Sequence, residues 1–353
     1  MTTRLVYSDF TDSMLAPPLG VPIEVMPGIV WIRLALPFAL NHVNIYLIDD
    51  GEGWAVLDTG LGDQETQDVW KTLLADHIDR PLTRLIVTHF HPDHIGMAGW
   101  LAAQFDLPVH MSETEYLLSR NIHLDPGALD AEHYRRFYLR HGLDAETTQR
   151  VVTQGHAYLR FVTGLPPTFE RLVDGDRLTL GGRDFQVITG GGHSPEQVVL
   201  YCAAERIFFS ADQVLSKISP NVSVTATIPN GNPLNDYLRS LAALGEIIPA
   251  DALVLPGHGL PFHNAPSRIK ELTAHHQARC DQILAACVTE PRSVAELVPL
   301  LFHRPLDPQQ TSFAFSEILA HVNLMLRKGQ IETADTAPGL VRYVPRAVPE
   351  NRV

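Results

Sequence analysis

The sequence predicts an α/β chain with a helical insertion and a C-terminal winged-helix-like module. Three patterns predict it: strand-like runs that feed helices over the first hundred residues, a central stretch rich in helical but poor in strand signals, and a mostly helical tail ending in two short strand-like runs. Runs 28–35, 44–48 and 54–58 are strand-like and are separated by turn signals such as Asp49-Asp50-Gly51 and Thr59-Gly60-Leu61-Gly62. Residues 64–77 read as a helix, 84–88 (Arg-Leu-Ile-Val-Thr) as a short buried strand, and about 94–105 as a second helix. The insertion, about 112–165, is expected to be all helical, with helices over 131–140 and 145–161. Strands return between 171 and 209, turning at Asp174-Gly175-Asp176 and Leu180-Gly181-Gly182-Arg183. A helix at 234–247 then leads to the apolar run 252–255.

Prolines and glycines across 256–266 oppose any regular element and mark a seam, so the expected domains are 1–264 and 265–353. Beyond the seam, 268–287, 293–301 and 312–327 read as helices. Runs 330–332 and 340–344 are placed to pair across the turn Thr336-Ala337-Pro338-Gly339. Three helices and a two-stranded ribbon make a winged-helix-like arrangement.

Composition excludes several classes. With 45% hydrophobic and 19% charged residues the chain is neither disordered nor fibrous. Its 27 basic against 40 acidic residues, net charge −13, have the wrong sign for a phosphate-binding surface. Ten basic and nine acidic residues fall after position 264, so the one module whose shape suggests nucleic acid is near neutral. Its candidate recognition helix, 312–327, carries one Arg and one Glu and looks built to pack. No run of about 18 apolar residues is long enough to span a membrane, and the N-terminus has no secretory pattern. Cys202, Cys280 and Cys287 are odd in number and form no CxxC, which argues against a disulfide framework. The expectation is a cytoplasmic protein with no membrane partner, for which a homodimer is allowed.

The strongest chemical signal is Thr88-His89-Phe90-His91-Pro92-Asp93-His94. In extended backbone His89 and His91 point the same way, and Pro92 keeps His91 extended. Asp93 is placed to cap a helix opening at His94, which is also its simplest reading. Four ligand-type side chains thus converge at one strand-to-helix turn, with a spacing unlike that of HExxH. His193 follows Thr189-Gly190-Gly191-Gly192, Asp212 follows Phe209-Ser210-Ala211, and His258 follows Leu255-Pro256-Gly257, each just past a strand. Strand ends are where an α/β scaffold presents side chains to one cleft. Imidazoles and carboxylates suit zinc or a similar divalent ion, and seven donors are too many for one tetrahedral ion but enough for two.

The run Thr-His-Phe-His-Pro-Asp-His-Ile-Gly, with the later Gly-Gly-His-Ser-Pro-Glu, Phe-Ser-Ala-Asp and Leu-Pro-Gly-His-Gly, resembles the metallo-β-lactamase superfamily over about residues 28–262, closest to its glyoxalase II-like and beta-lactamase-like branches. His275-His276 and Phe315-Ser-Glu-Ile-Leu-Ala-His321 resemble the winged-helix domain appended to one such branch. The resemblance implies a four-layer αββα sandwich and a metal-dependent hydrolase. It implies His89, His91 and His193 at a first metal, Asp93, His94 and His258 at a second, and Asp212 bridging. Asp58, in Leu57-Asp58-Thr59-Gly60, matches the family's Asp-Thr-Gly turn and would support the ligands from behind, or serve simply as a turn residue.

The implied cofactors are two divalent ions, zinc first, with manganese or iron as alternatives. Hydroxide held between them would attack an ester, thioester or lactone of a small-molecule substrate, with Asp93 orienting it or shuttling its proton. The alternative is a nuclease, or a nucleic-acid-binding protein that uses the winged-helix tail. Tyr116, His123, His133, Tyr134, Tyr138, His156 and Tyr158 of the insertion, with Phe38 and His42 opposite, are candidates to line a pocket, although each read singly is a packing or solvent-facing residue. Lys217 is a candidate anion contact or an ordinary solvated lysine.

Overall fold

The computed structural model describes residues 16–125, 132–153, 157–334 and 339–347. Its first sheet is built from β1 (Ile23–Met26), β2 (Ile29–Ala35), β3 (His42–Asp49) and β4 (Trp54–Leu57), then, after α1 (Gln64–Asp76), β5 (Leu82–Ile86). After the short α2 (Pro92–Ile95) and α3 (Ala98–Phe105) comes β6 (Val109–Met111). Helices α4 (Glu113–Leu124), α5 (Glu132–Arg140), α6 (Ala145–Thr153) and α7 (Ala157–Arg160) precede β7 (Glu170–Arg171). The strands stand in sequence order, antiparallel from β1 to β4 and parallel from β4 to β7.

The second sheet holds β8 (Arg177–Leu180), β9 (Arg183–Gly190), β10 (Gln197–Cys202) and β11 (Ile207–Ala211), then, after α8 (Pro233–Ile247), β12 (Leu253–Pro256). Its order is β12-β11-β10-β9-β8, with only the β11–β12 pair parallel. The chain closes with α9 (Ala265–Thr289), α10 (Val294–Leu301), α11 (Pro308–Arg327) and the antiparallel ribbon β13 (Ile331–Ala334) and β14 (Arg342–Pro345).

Burial explains the layers. One apolar cluster joins Trp31, Tyr46 and Leu57 of the first sheet to Phe185, Leu200, Phe209 and Leu255 of the second, so the sheets pack face to face. A second cluster packs Trp70 and Leu73 of α1 and Ala98 and Leu101 of α3 on the outer face of the first sheet. On the outer face of the second, a Cβ at Gly190 would lie 2.6 Å from the Ser240 hydroxyl of α8. The result is the four-layer αββα sandwich. Strands β10 and β11 are buried at every residue because both their faces are covered, hence their unbroken apolar runs.

Contacts divide the chain into two compact units. The first holds 1–125, 157–220 and 240–269, and the second holds 126–156, 221–239 and 270–353. Within the second, Phe137 and Tyr138 of α5 pack on Phe315 of α11, and residues 314–316 and 318–325 of α11 are all buried. Asp307 caps α11 by accepting the Gln310 N–H, and Pro308 takes the first helical position, which starts the helix earlier than residue 312.

Two local expectations are corrected and a third falls partly outside the described residues. The single helix over 94–105 is two pieces, because Gly62 packs against Gly96 so closely that a Cβ at Gly96 would lie 2.2 Å from the Gly62 nitrogen. The strand over 84–88 ends at Ile86, where the Thr88 N–H leaves the ladder for the Asp58 carboxylate. The expected helix over 145–161 is described as α6 and α7, with 154–156 outside the described residues, as are His156, Ala131 and the turn residues 336–338.

Strands β4, β5, β9, β11 and β12 share one consequence. β4 runs parallel to β5, β11 parallel to β12, and β9 runs with β11 because both are antiparallel to β10. Asp58 and the candidate metal ligands His89, His91, Asp93, His94, His193, Asp212 and His258 all follow the C-terminal end of one of these five strands. Because Phe209 is buried in the inter-sheet core, Phe209→Ala is expected to lower unfolding stability by about 3–5 kcal/mol, read from urea denaturation of the metal-free protein.

Candidate metal centre

The turn after β5 gathers its histidines as extended backbone requires. His91 has φ −62° and ψ 143°, the conformation expected before Pro92. The His89 and His91 ring centroids are 4.6 Å apart, and His193, carried by the glycine-rich loop after β9, lies 5.1 Å from His89 and 4.5 Å from His91. His91 Nδ1 and His193 Nε2 stand 2.9 Å apart. Pro92 opens α2 and His91 is its N-cap without a side-chain bond, so Asp93 does not cap the helix. That correction frees the Asp93 carboxylate, whose Oδ2 lies 3.3 Å from His258 Nε2 and 3.7 Å from His94 Nε2.

Asp212 joins the two groups. Its Oδ2 lies 3.3 Å from His193 Nε2, 3.2 Å from His258 Nε2 and 3.6 Å from His94 Nε2. Donor atoms fall within 4.8 Å of one another in each of three triads, His89-His91-His193, His89-His94-Asp212 and Asp93-His94-His258. All seven residues singled out in the sequence are thus brought together.

Hydrogen bonds behind the cluster aim these donors. Asp58 accepts from the Thr88 N–H at 2.8 Å and from its hydroxyl, and His94 Nδ1–H donates to Asp58 Oδ2 at 2.8 Å, which turns Nε2 toward the cluster. Since the Thr88 hydroxyl donates to Asp58, it accepts from His89 Nδ1 at 2.9 Å, and His89 too presents a bare Nε2. His258 Nδ1 donates to the His42 carbonyl at 2.7 Å with the same result. Two of these positions use left-handed backbone, Asp58 at φ 59° and Ala211, just before Asp212, at φ 43°. The His258 loop approaches so closely that a Cβ at Gly257 would lie 2.2 Å from Asp212 Oδ1.

Electrostatics suit the cluster to a cation. His89 Nε2, His94 Nε2 and Asp212 Oδ1 are buried without a hydrogen-bond partner. Burial, reinforced by neighbouring imidazoles, holds His89 well below the ordinary histidine range and His91 at about 3, so both are neutral ligands. Burial also opposes charge on His94 and His258, but Asp212 and Asp93 outweigh it, raising His94 well above its usual value and His258 to about 10. Buried carboxylates demand positive charge, which protons supply in the metal-free protein and which a divalent cation would supply in their place. The donors fit such an ion: neutral imidazoles, carboxylates and orphaned lone pairs facing one another.

The remaining candidates divide. Tyr158 donates to the Phe90 carbonyl at 2.9 Å, between His89 and His91. His42 accepts the Gly259 N–H at 2.9 Å and steadies the His258 loop. Tyr116 is buried, stacked on Phe169 and bonded to the Pro166 carbonyl. Phe38 meets Phe161 edge-on at 6.0 Å. Tyr134 and Tyr138 bond Thr227 and Ser312 within the second unit, His133 stacks beside Tyr134, and His123 and Lys217 are exposed. Asn44 and Tyr46 went unnoticed in the sequence. Asn44 donates to the Pro256 and Gly259 carbonyls and Tyr46 to that of Pro256, so both anchor the His258 loop. A polar Asn inside a buried apolar strand was their available signal.

The chain is similar to known proteins along most of its length. The family profile "Metallo-beta-lactamase superfamily" matches residues 39–258, and "Metallo-beta-lactamase-like, C-terminal domain" matches 280–346. Acyl-coenzyme A thioesterase MBLAC2 of Bos taurus is 29% identical over 282 residues, covering 76% of this chain and 91% of that protein. Atrochrysone carboxyl ACP thioesterase of Aspergillus fumigatus is 23% identical over 78% of this chain and 73% of its own length. The crystal structure of a beta-lactamase domain protein from Burkholderia ambifaria superposes with a TM-score of 0.85 at 37% identity, covering 94% of this chain and 96% of that one.

Two outcomes are expected. Asp212→Ala and Gly257→Ala should each abolish loading of two metals, measured by elemental analysis after zinc reconstitution; two ions per chain in Asp212→Ala would refute the assignment. His258 is raised from 6.5 to about 10 in the folded state, so its contribution to metal-free stability is complete below about pH 6.5 and lost as pH climbs through about 10. The melting temperature of chelated protein should fall across that window.

Proposed function

As the chain belongs to the metallo-beta-lactamase superfamily and is a hydrolase of that fold, we propose that its reaction is the metal-dependent cleavage of an acyl thioester. The observation that carries this reading is the seven-donor cluster, set in a chain that aligns with 91% of an acyl-coenzyme A thioesterase. A second thioesterase among its relatives supports the same bond.

In this reading His89, His91 and His193 would hold one ion and Asp93, His94 and His258 the other, with Asp212 standing between the two groups. Divalent ions there, zinc by preference and manganese or iron as alternatives, would supply Lewis acidity at the acyl carbonyl and lower the pKa of water toward neutrality. The protein's own contribution is orientation and proton handling. Asp58 holds the His94 ring in one tautomer. Asp93 is the more exposed of the two clustered carboxylates and stands at the rim, where it can take a proton from the attacking water. A thiol with a pKa near 8.5 departs as thiolate without a protein acid, which suits a cluster made of acceptors. The substrate is a small molecule, and the site of action is the cytoplasm. Among the described residues no helix is long and apolar enough to cross a membrane. Helix α11, the one element shaped to read nucleic acid, is buried along most of its length and offers little surface for it.

Purified, metal-analysed protein assayed side by side on an acyl-coenzyme A thioester, a lactone and single-stranded RNA tests the proposal. Thiol release from the thioester, lost on chelation and restored by zinc, is expected; turnover of RNA alone would overturn it.

A further inference from the structure

Helix α4 contributes no donor to the cluster, yet its first turn holds the two loops that carry three of them. The side chain of Glu115 is wholly buried. One carboxylate oxygen accepts the Phe90 N–H at 3.0 Å and the other the Glu196 N–H at 2.7 Å. Phe90 lies between His89 and His91, and Glu196 lies three residues beyond His193. The contact is reinforced on both sides. The Ser112 hydroxyl donates to the Glu196 carbonyl at 2.7 Å, the Glu196 carboxylate accepts the Thr114 N–H at 3.0 Å, and the Tyr158 hydroxyl donates to the Phe90 carbonyl at 2.9 Å.

A buried charge is an expensive way to fill a core position, and an apolar side chain of similar size would pack more cheaply. What an apolar residue cannot do is accept two N–H groups from separate loops. A glutamine cannot do so either, since its NH₂ would face one of the two N–H donors.

We propose that Glu115 is a positioning residue that ties the turn after β5 to the loop after β9 and so sets the approach of His91 to His193. The inference rests on reading the His89-His91-His193 triad as a metal site. The Phe90 peptide sits between two of its ligands, so a shift there moves both rings, while a shift of the Glu196 loop moves the third.

The test compares parent and Glu115→Gln, each stripped of metal and titrated with zinc against a competing chelator, and with cobalt(II) followed by its absorption spectrum. Glu115→Gln should bind one of its two ions about 10- to 100-fold more weakly, show an altered cobalt spectrum and lose kcat with KM little changed. Its metal-free melting temperature should fall modestly, because one buried N–H loses its acceptor, but by less than the loss of metal affinity requires. Tyr158→Phe, which removes the bonds of its hydroxyl to the Phe90 carbonyl and the Ser119 hydroxyl but leaves Glu115 in place, should shift affinity and spectrum in the same direction by less, and it decides the question if Glu115→Gln does not fold. Two ions bound at parental affinity with a parental spectrum would overturn the proposal, as would a loss of metal-free stability that accounts for the whole change. A parent that binds no divalent ion would sink the metal reading and this inference together, whereas a parent that binds two but leaves thioesters intact would sink only the thioesterase reading.

Discussion

The structure depends on placing buried carboxylates where only cations can satisfy them. Asp212 sits after a left-handed Ala211, its oxygens among His193, His94 and His258, and the folded protein holds it ionised because those imidazoles outweigh the penalty of burial. Asp93 and Asp58 add two more carboxylates to the same small volume. Such an arrangement is unfavourable in a metal-free core unless protons or metal ions bring positive charge. Binding of an ion would therefore be coupled to folding at this point, and the bonds around it, from Thr88 to His42, fix the rings that would hold one.

Sheet topology makes that charge cluster affordable. Five strands from two sheets point their C-terminal ends at one edge of the sandwich, where backbone is leaving regular structure and side chains of adjacent loops meet. The inter-sheet core beneath them is apolar and rich in aromatics, with Tyr46, Phe185 and Phe209 in edge or tilted contact. Loops on so rigid a base keep their geometry. Close approaches at Gly96 and Gly257 show how little slack remains, because either position given a side chain would collide with its neighbour.

Much of this was legible beforehand. Alternation and turn signals located most strands, and seven donors could be read because a His-x-His-x-Asp-His turn and three strand-end residues are local patterns with a chemical reason. Legibility failed where a distant partner overrode a local rule. Asp93 reads as a helix cap, but Pro92 at the first helical position moved the cap to His91. Glu115 carries no local signal of its role, because its partners are 25 and 81 positions away.

By itself, then, the sequence determined which side chains are chemically able to hold metal and the elements on which each rides, since ligand type, hydrophobic period and turn residues act over a few positions. Only the tertiary structure decided which oxygen of Asp212 touches three rings, which nitrogen each imidazole presents, and that Glu115, Asn44 and Tyr46 serve the site at all. Those outcomes depend on hydrogen bonds between residues up to 217 positions apart, and such bonds exist only once the sheets have packed and water has left the spaces between them.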